Sequence, residues 1–190
     1  MRYAARLSLS LLLFIACAAP SVAQDIKCTL TAAQTPEAEG LRLGMTDDQL
    51  KARFKIMEAE PADDYGVSLL RLDPGRDTFE AESIRDIAVE LIRGRVAAIR
   101  LVYNPSVAPG SHQAFAERLS GSLKLPRAWK AVTVGQMVTG MTMACADFKI
   151  SANLIGARIP VVYLSSLEAE LTLSKRRADK ERRLREFFKP

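Results

Sequence analysis

Gly40-Leu-Arg-Leu-Gly-Met-Thr-Asp-Asp-Gln-Leu-Lys-Ala-Arg-Phe54 is the stretch from which the fold can be worked out. An extended entry runs into a helix start that is specified several times over. Thr46 stands at the N-cap position, where its hydroxyl can accept from the Gln49 N–H. The Gln49 side chain can reach back to the Thr46 N–H, which completes a capping box. Met45 before the cap and Leu50 at the fourth helical position have the spacing of a hydrophobic staple. Asp47 and Asp48 in the first turn, with Lys51, Arg53 and Lys55 after them, complement the helix dipole. Leu50, Phe54 and Met57 recur at i, i+4 and i+7, so the spacing predicts one buried stripe on a helix from Thr46 to Lys55. These residues specify a well-made helix and name no ligand.

Downstream of this helix, Pro61-Ala-Asp-Asp64 reads as a loop and Val67 to Leu72 as a strand, closed by the turn signal Asp73-Pro-Gly75. Residues 76–83 form a polar, acidic connector. Two strands follow at 84–91 and 95–103, and the apolar pattern selects their register. A two-residue loop at Arg93-Gly94 would place Arg100 on the face of Ile87, Val89 and Leu91. A three-residue loop, Ile92-Arg93-Gly94, with Gly94 in a left-handed bulge position, aligns those three with Ala97, Ile99, Leu101 and Tyr103 instead. The second register is the one expected.

Pro105 and Pro109 interrupt the chain, and Ser111 caps a second helix with apolar positions Phe115, Leu119 and Leu123. Strands are predicted at 131–134, 141–154 and 159–164. The order is helix then three strands, twice. It predicts an α+β fold, an antiparallel sheet packed by helices on one face and built from two degenerate halves, 24–104 (with an N-terminal arm over 24–40) and 105–165. Trp129 and Tyr163 are expected in the core or on a sheet face. A basic C-terminal helix over 166–190 completes the chain, with Ser165 and Glu168 as a capping box, a stripe of Leu164, Leu167 and Leu171, and an apolar docking end at Leu184, Phe187 and Phe188. From Lys175 to Pro190 there are eight basic and three acidic residues, a net of +5. With 25 basic and 22 acidic residues beyond Ala23, the body before this tail carries −2.

The first 23 residues read as a signal peptide: Arg2 and Arg6, a mostly apolar run of about eleven residues from Leu7 to Cys17, then Ser21-Val22-Ala23 before Gln24. The apolar run falls short of the roughly twenty residues that a spanning helix needs. The expected location is periplasmic or secreted. The alternative is a lipoprotein anchored at Cys17, with Phe14-Ile-Ala-Cys17 as its processing box. Cleavage after Ala23 leaves Cys28 and Cys145, which in an oxidising compartment are expected to form one disulfide.

The Gly44-Met45-Thr46 helix entry, followed by an apolar strand, Arg93-Gly94 and a second apolar strand, resembles a repeat of the β-lactamase-inhibitor-protein-like superfamily over Leu41 to Tyr103. The outer-membrane-assembly lipoproteins of similar fold share the Gly-Met-Thr entry. The resemblance implies a module that binds other proteins and has no catalytic residues; the matching positions are structural, so no binding residue carries over. The sequence itself holds no Gly-x-Ser-x-Gly, phosphate loop or histidine cluster. The single histidine, His112, reads as a surface residue. No cofactor, metal or nucleic-acid partner is expected. The expected function is an exported non-catalytic protein-interaction module of the bacterial envelope, its partner another envelope protein. The alternative is a binder of anionic surfaces, lipid or lipopolysaccharide, through Lys175, Arg176, Arg177, Lys180, Arg182, Arg183 and Arg185. An enzyme with an unrecognised site is the second alternative.

Overall fold

The computed structural model describes residues 27–35, 37–74 and 83–187. The stretch read above as a signal peptide, residues 24–26 of the arm and 76–82 of the polar connector lie outside the described residues, as does Phe188. Eight strands form one sheet in the order β1-β2-β3-β4-β8-β7-β6-β5, with every neighbouring pair antiparallel. The strands are β1 (Ile56–Glu60), β2 (Val67–Leu72), β3 (Ile84–Ile92), β4 (Arg95–Tyr103), β5 (Lys130–Val134), β6 (Met137–Ala144), β7 (Phe148–Ile155) and β8 (Ile159–Ser166). The helices are α1 (Asp47–Arg53), α2 (His112–Ser122) and α3 (Leu167–Phe187). Each half is therefore a helix followed by four strands, not three. The halves meet where their last strands, β4 and β8, pair antiparallel, which leaves β1 and β5 as the two edges.

The quoted stretch organises the first half as its chemistry requires. Thr46 accepts from the Gln49 N–H at 3.2 Å, and Gln49 Oε1 accepts from the Thr46 N–H at 2.9 Å. The same segment is clamped onto the start of β4. The Gly44 N–H donates to Val96 O, the Val96 N–H to Met45 O and the Asp47 N–H to Gly94 O, at 2.8–3.0 Å. Gly44 reaches this geometry with φ +80°, a left-handed conformation that a side chain would strain. Met45 and Leu50 are both buried, as the staple spacing predicts.

Helix α1 is shorter than predicted. Phe54 is buried but serves as the C-cap, and Met57 is 60 % exposed on β1. Leu50 alone of the expected stripe is a buried residue within the helix. Pairing of residues 56–60 with β2 overrides the helix preference of Met, Glu and Ala. The β3–β4 hairpin puts Ile87 and Val89 on one face with Ile99 and Leu101, as expected, but in another register: Ile87 pairs with Leu101 and Val89 with Ile99, where the three-residue loop would set them against Ile99 and Ala97. Arg93 (φ +53°) and Gly94 (φ +70°) make a two-residue turn with the signs of type I′. A bulge between Glu90 and Leu91 then skips Ala97, so Leu91 faces Val96.

Ser111 caps α2 by accepting from the Ala114 N–H at 3.1 Å, and Phe115 and Leu119 are buried. The strand expected over 141–154 is two, β6 and β7, turning at Cys145-Ala-Asp147. The described residues of the N-terminal arm pack against the core through Cys28, Leu30, Ala32 and Ala38. Cys28 and Cys145 form a disulfide with Cα atoms 4.5 Å apart across 117 positions. Beside it, the Ala146 N–H donates to Leu30 O at 3.0 Å and the Ala32 N–H to Asp147 Oδ1 at 2.6 Å.

Leu50 and Phe54 near α1, and Phe115 and Leu119 of α2, share one continuous core with Ile87, Ile99, Phe148, Ile150 and Leu164. Both helices thus cover the same sheet face. Trp129 packs against this core while its indole N–H donates to Ser120 Oγ at 2.7 Å. No helix among the described residues is long and apolar enough to cross a membrane.

Candidate interaction surface

Strand alternation sends every second side chain to the sheet face opposite the core. Following the register from strand to strand, Glu58, Arg71, Ala88, Arg100, Tyr163, Ser151, Thr142 and Lys130 form one transverse row across all eight strands. On the first half this row is an ion-pair network. Arg71 Nε lies 3.2 Å from Glu58 Oε2, and Asp86 takes Arg71 Nη1 at 3.5 Å and Arg100 Nη2 at 3.0 Å on its two oxygens. These groups are partly exposed, so each pair contributes at most about 1 kcal/mol; their value is in fixing the side chains.

Tyr163 sits beside Arg100 in this row. Burial, followed by the charges of Glu90 and Glu170 and a hydrogen bond to Glu90, pushes its phenol up to about 12. It stays a neutral donor throughout the working pH range. On the second half the row is uncharged through Ser151 and Thr142, whose hydroxyl oxygens lie 3.4 Å apart, and ends on the exposed Lys130.

Beyond it lies an apolar corner. Gly140 sits directly beneath the Asn153 side chain, which places its cross-strand neighbour Val132 on this same open face. Val134 alternates with Val132 and pairs with Met137; Ile155 follows buried Leu154 and so points outward. Val132, Val134, Met137 and Ile155 are all exposed, Val134 and Met137 at 71 % each.

α3 lies on the open side, and the structure corrects how it is held. Leu164 belongs to β8 and the core, and Leu171 is exposed. Ser165 is a strand residue whose hydroxyl donates to Glu170 Oε1 at 2.5 Å, while Ser166 accepts from the Ala169 N–H at 3.4 Å. None of its described residues is buried. Leu184 and Phe187, the described residues of the expected docking end, are 49 % and 82 % exposed, not buried against the body.

The contacts are made by basic residues. Arg176 donates to the Tyr65 carbonyl, Lys180 pairs with Asp64 at 2.5 Å, and Arg177 and Lys180 stand over the Tyr65 ring at 5.7 and 5.1 Å. The distances agree with this path. Ten residues from Glu170 to Lys180 advance about 15 Å at 1.5 Å each. Three strand spacings from β8 to β2 cover about the same. The row crossed holds Ala98 and Ser165, both buried although they face away from the core.

The seven basic residues singled out in the sequence are thus divided. Arg176 and Lys180 are half-buried against the β1–β2 loop, and Arg177 leans on Tyr65. Arg182 pairs with Asp179 at 2.9 Å and Arg185 with Glu181 at 2.5 Å within the helix. Among the described residues Lys175 and Arg183 make no ion pair. They do not form one continuous basic face.

On the core side, Ala38, Leu101, Leu125, Phe148 and Leu164 border a recess of about 10 Å³. That is room for about one water, far from the roughly 300 Å³ or more of small-molecule sites. Among the described residues no group of three His, Cys, Asp or Glu is placed to hold a metal. His112 is half-buried, its Nδ1 without a hydrogen-bond partner among the described residues. The open-face row itself was missed in the sequence: alternation assigned each strand two faces, but the strand order needed to join those faces was not known.

No protein-family model matches the chain, and no curated protein is significantly similar to it. Among solved structures, a cysteine-rich secretory protein from Staphylococcus aureus subsp. aureus Mu50 aligns with 75 % of this chain and 49 % of its own, at 12 % identity and a TM-score of 0.43. The chain spans about half the length of that protein, and a likeness at this level carries no argument about function.

Proposed function

We propose that this is an exported, non-catalytic protein-interaction module that receives another envelope protein on the open face of its sheet. The observation that carries the reading is the exposed apolar corner Val132, Val134, Met137 and Ile155 beside a fixed row of polar and charged side chains. An apolar patch rimmed by ordered polar groups is the surface composition of protein docking sites. The resemblance of residues 41–103 to the β-lactamase-inhibitor-protein-like superfamily supports the same reading, since its known members bind proteins. The buried disulfide suits an oxidising compartment, in keeping with the signal peptide read from the first 23 residues.

The test is site-specific photo-crosslinking in intact cells from Ser151 and Ile155 on the open face, with Glu117 on the outer surface of α2 as control. Adducts to a protein of different mass are expected from the first two positions. No adduct from either, or equal yields from Glu117, would overturn the reading.

A further inference from the structure

The two sheet edges are treated differently. β1 carries Glu58 and Glu60 and is followed by Pro61, the charges and proline with which natural sheets blunt an edge. β5 carries a single charge, Lys130 at its first residue, and no proline. All five of its residues are exposed, and residues 131–146 contain no Asp, Glu, Lys or Arg. Val132 and Val134, with Met137 and Val138 across the hairpin, are its exposed large apolar side chains. An edge whose only charge sits at its first residue is open to pairing with another strand along the rest of its length.

We propose that the strand it accepts is β5 of a second copy, antiparallel and centred on Val132, so that two eight-stranded sheets join into one. The Val132 carbonyl accepts from Thr139 Oγ1 at 3.2 Å, so the polar groups of Val132 face β6. Those of its neighbours Ala131 and Thr133 then face outward. In a two-fold pairing about Val132, Ala131 stands opposite Thr133 of the second copy, and the reverse. Each such pair exchanges two N–H···O=C bonds, about four in all.

The two Val132 side chains meet in a closely spaced non-hydrogen-bonded pair. Lys130 stands opposite Val134 of the second copy. The two lysines are then about 14 Å apart along the strand, beyond the Debye length of about 8 Å at physiological salt. The same operation on β1 would set glutamates against each other, whether centred on Glu58 or on Ala59. In the β5 register no like charges are opposed: valine meets valine, alanine meets threonine, and the strand's one charge, Lys130, falls opposite the uncharged Val134.

A five-residue edge buries less than the roughly 800 Å² per partner of a standard interface. The expected dimer is therefore weak, appearing between about 10 μM and 1 mM. The proposal shares Val132 and Val134 with the open-face reading, but that reading is tested by crosslinking from Ser151 and Ile155 on β7 and this one by self-association, so either can fail alone.

Sedimentation equilibrium of the purified protein across that concentration range is the test, with Val132→Lys and Val132→Glu as variants. Val132 is 42 % exposed, and circular dichroism with urea midpoints checks that each variant folds. Dimerisation of the wild type is expected, weakened at least about tenfold in either variant, where like charges meet, and recovered when the two variants are mixed. A wild type monomeric at 1 mM would overturn the proposal. So would dimerisation untouched by both substitutions, or a mixture no more associated than either variant alone. A monomer whose β5 amides gain protection only on adding an unrelated extended peptide would instead give the edge to a peptide partner.

Discussion

Removing the disulfide should cost this protein more than any other two-atom change. Cys28 and Cys145 close a loop of 117 positions. The chain-entropy relation for such a loop gives about 16 cal/mol/K, or about 5 kcal/mol at 25 °C. A domain has about 5–15 kcal/mol in total, so the loss is a third of its stability or more. The native state gives no reason to discount it: the Cα atoms, 4.5 Å apart, lie inside the ordinary bonding range. The arm keeps its hydrogen bonds from Ala146 and to Asp147 in either case. The assay is urea unfolding of the oxidised wild type against Cys28→Ala/Cys145→Ala. With a slope near 2 kcal/mol/M, the midpoint should fall by about 2 M or more, and the slope should rise because the uncrosslinked unfolded chain exposes more surface. A fall below about 0.5 M with unchanged slope would refute the reasoning. It would mean that the arm adds no constraint on the unfolded chain.

Three further outcomes are expected. Thr46→Ala should cost about 1 kcal/mol through the lost cap, Gly44→Ala about 1–2 kcal/mol through its left-handed φ, and Phe54→Ala about 3–5 kcal/mol through its buried ring; denaturant melts that do not rank Phe54→Ala as the costliest would count against the helix entry as the organising element. Tyr163 has its pKa raised from 10.0 to about 12, so it stabilises the fold fully below pH 10 and loses that contribution as pH rises through 12. In ultraviolet titration Tyr163→Phe should remove phenolate absorbance only above about pH 11. Asp64 is held below its ordinary 3.8 by its hydrogen bond to Lys180 and then by that charge. Its contribution to holding α3 is therefore present above 3.8 and lost as pH falls through the lowered value. Hydrogen exchange of the α3 amides, corrected for intrinsic rate, should be unchanged from pH 7 to 5 and accelerate only below the carboxylate range.

The parts of the fold legible in the sequence are those fixed by local chemistry. The capping box at Thr46 and Gln49, the cap at Ser111 and the strand from Val67 to Leu72 need only their own neighbours to be recognised. The disulfide was legible by counting, once Cys17 was set aside with the expected signal peptide. β1 was not, because an edge strand exposed on both faces shows no alternation, and Met57-Glu-Ala-Glu60 has the composition of a helix. The break between β6 and β7 carries no Gly or Pro; Cys145-Ala-Asp147 turns because the disulfide and the arm hold it. In the β3–β4 hairpin the apolar pattern selected the right face but the wrong turn and pairing register. Alternation reports which side chains share a face, but not whether a bulge or a longer loop brings them there. The docking of α3 was misread because hydrophobic side chains were expected to do it. Arg176 and Lys180 dock it instead, through a carbonyl, an aromatic face and a carboxylate that no spacing rule could connect across more than a hundred positions.

The topology explains why the candidate surface lies where it does. Each half brings one helix, and both helices fall on the same side, so a single core is closed while the opposite face of all eight strands is left to be managed otherwise. On the first half it is managed by charge, with Asp86 shared between Arg71 and Arg100. Near the central seam it is managed by α3, which crosses the row of Ser165 and Ala98 and fastens to the β1–β2 loop. Neither device reaches β5 and β6. The corner formed by Val132, Val134 and Met137 therefore stays apolar and uncovered at the place farthest from both the ion pairs and the strap. Had the patch been a by-product of an undersized core, it would be expected next to the recess at Leu101 and Phe148. It lies instead on the other face and at the sheet's edge, where exposed valines contribute nothing to closing the core.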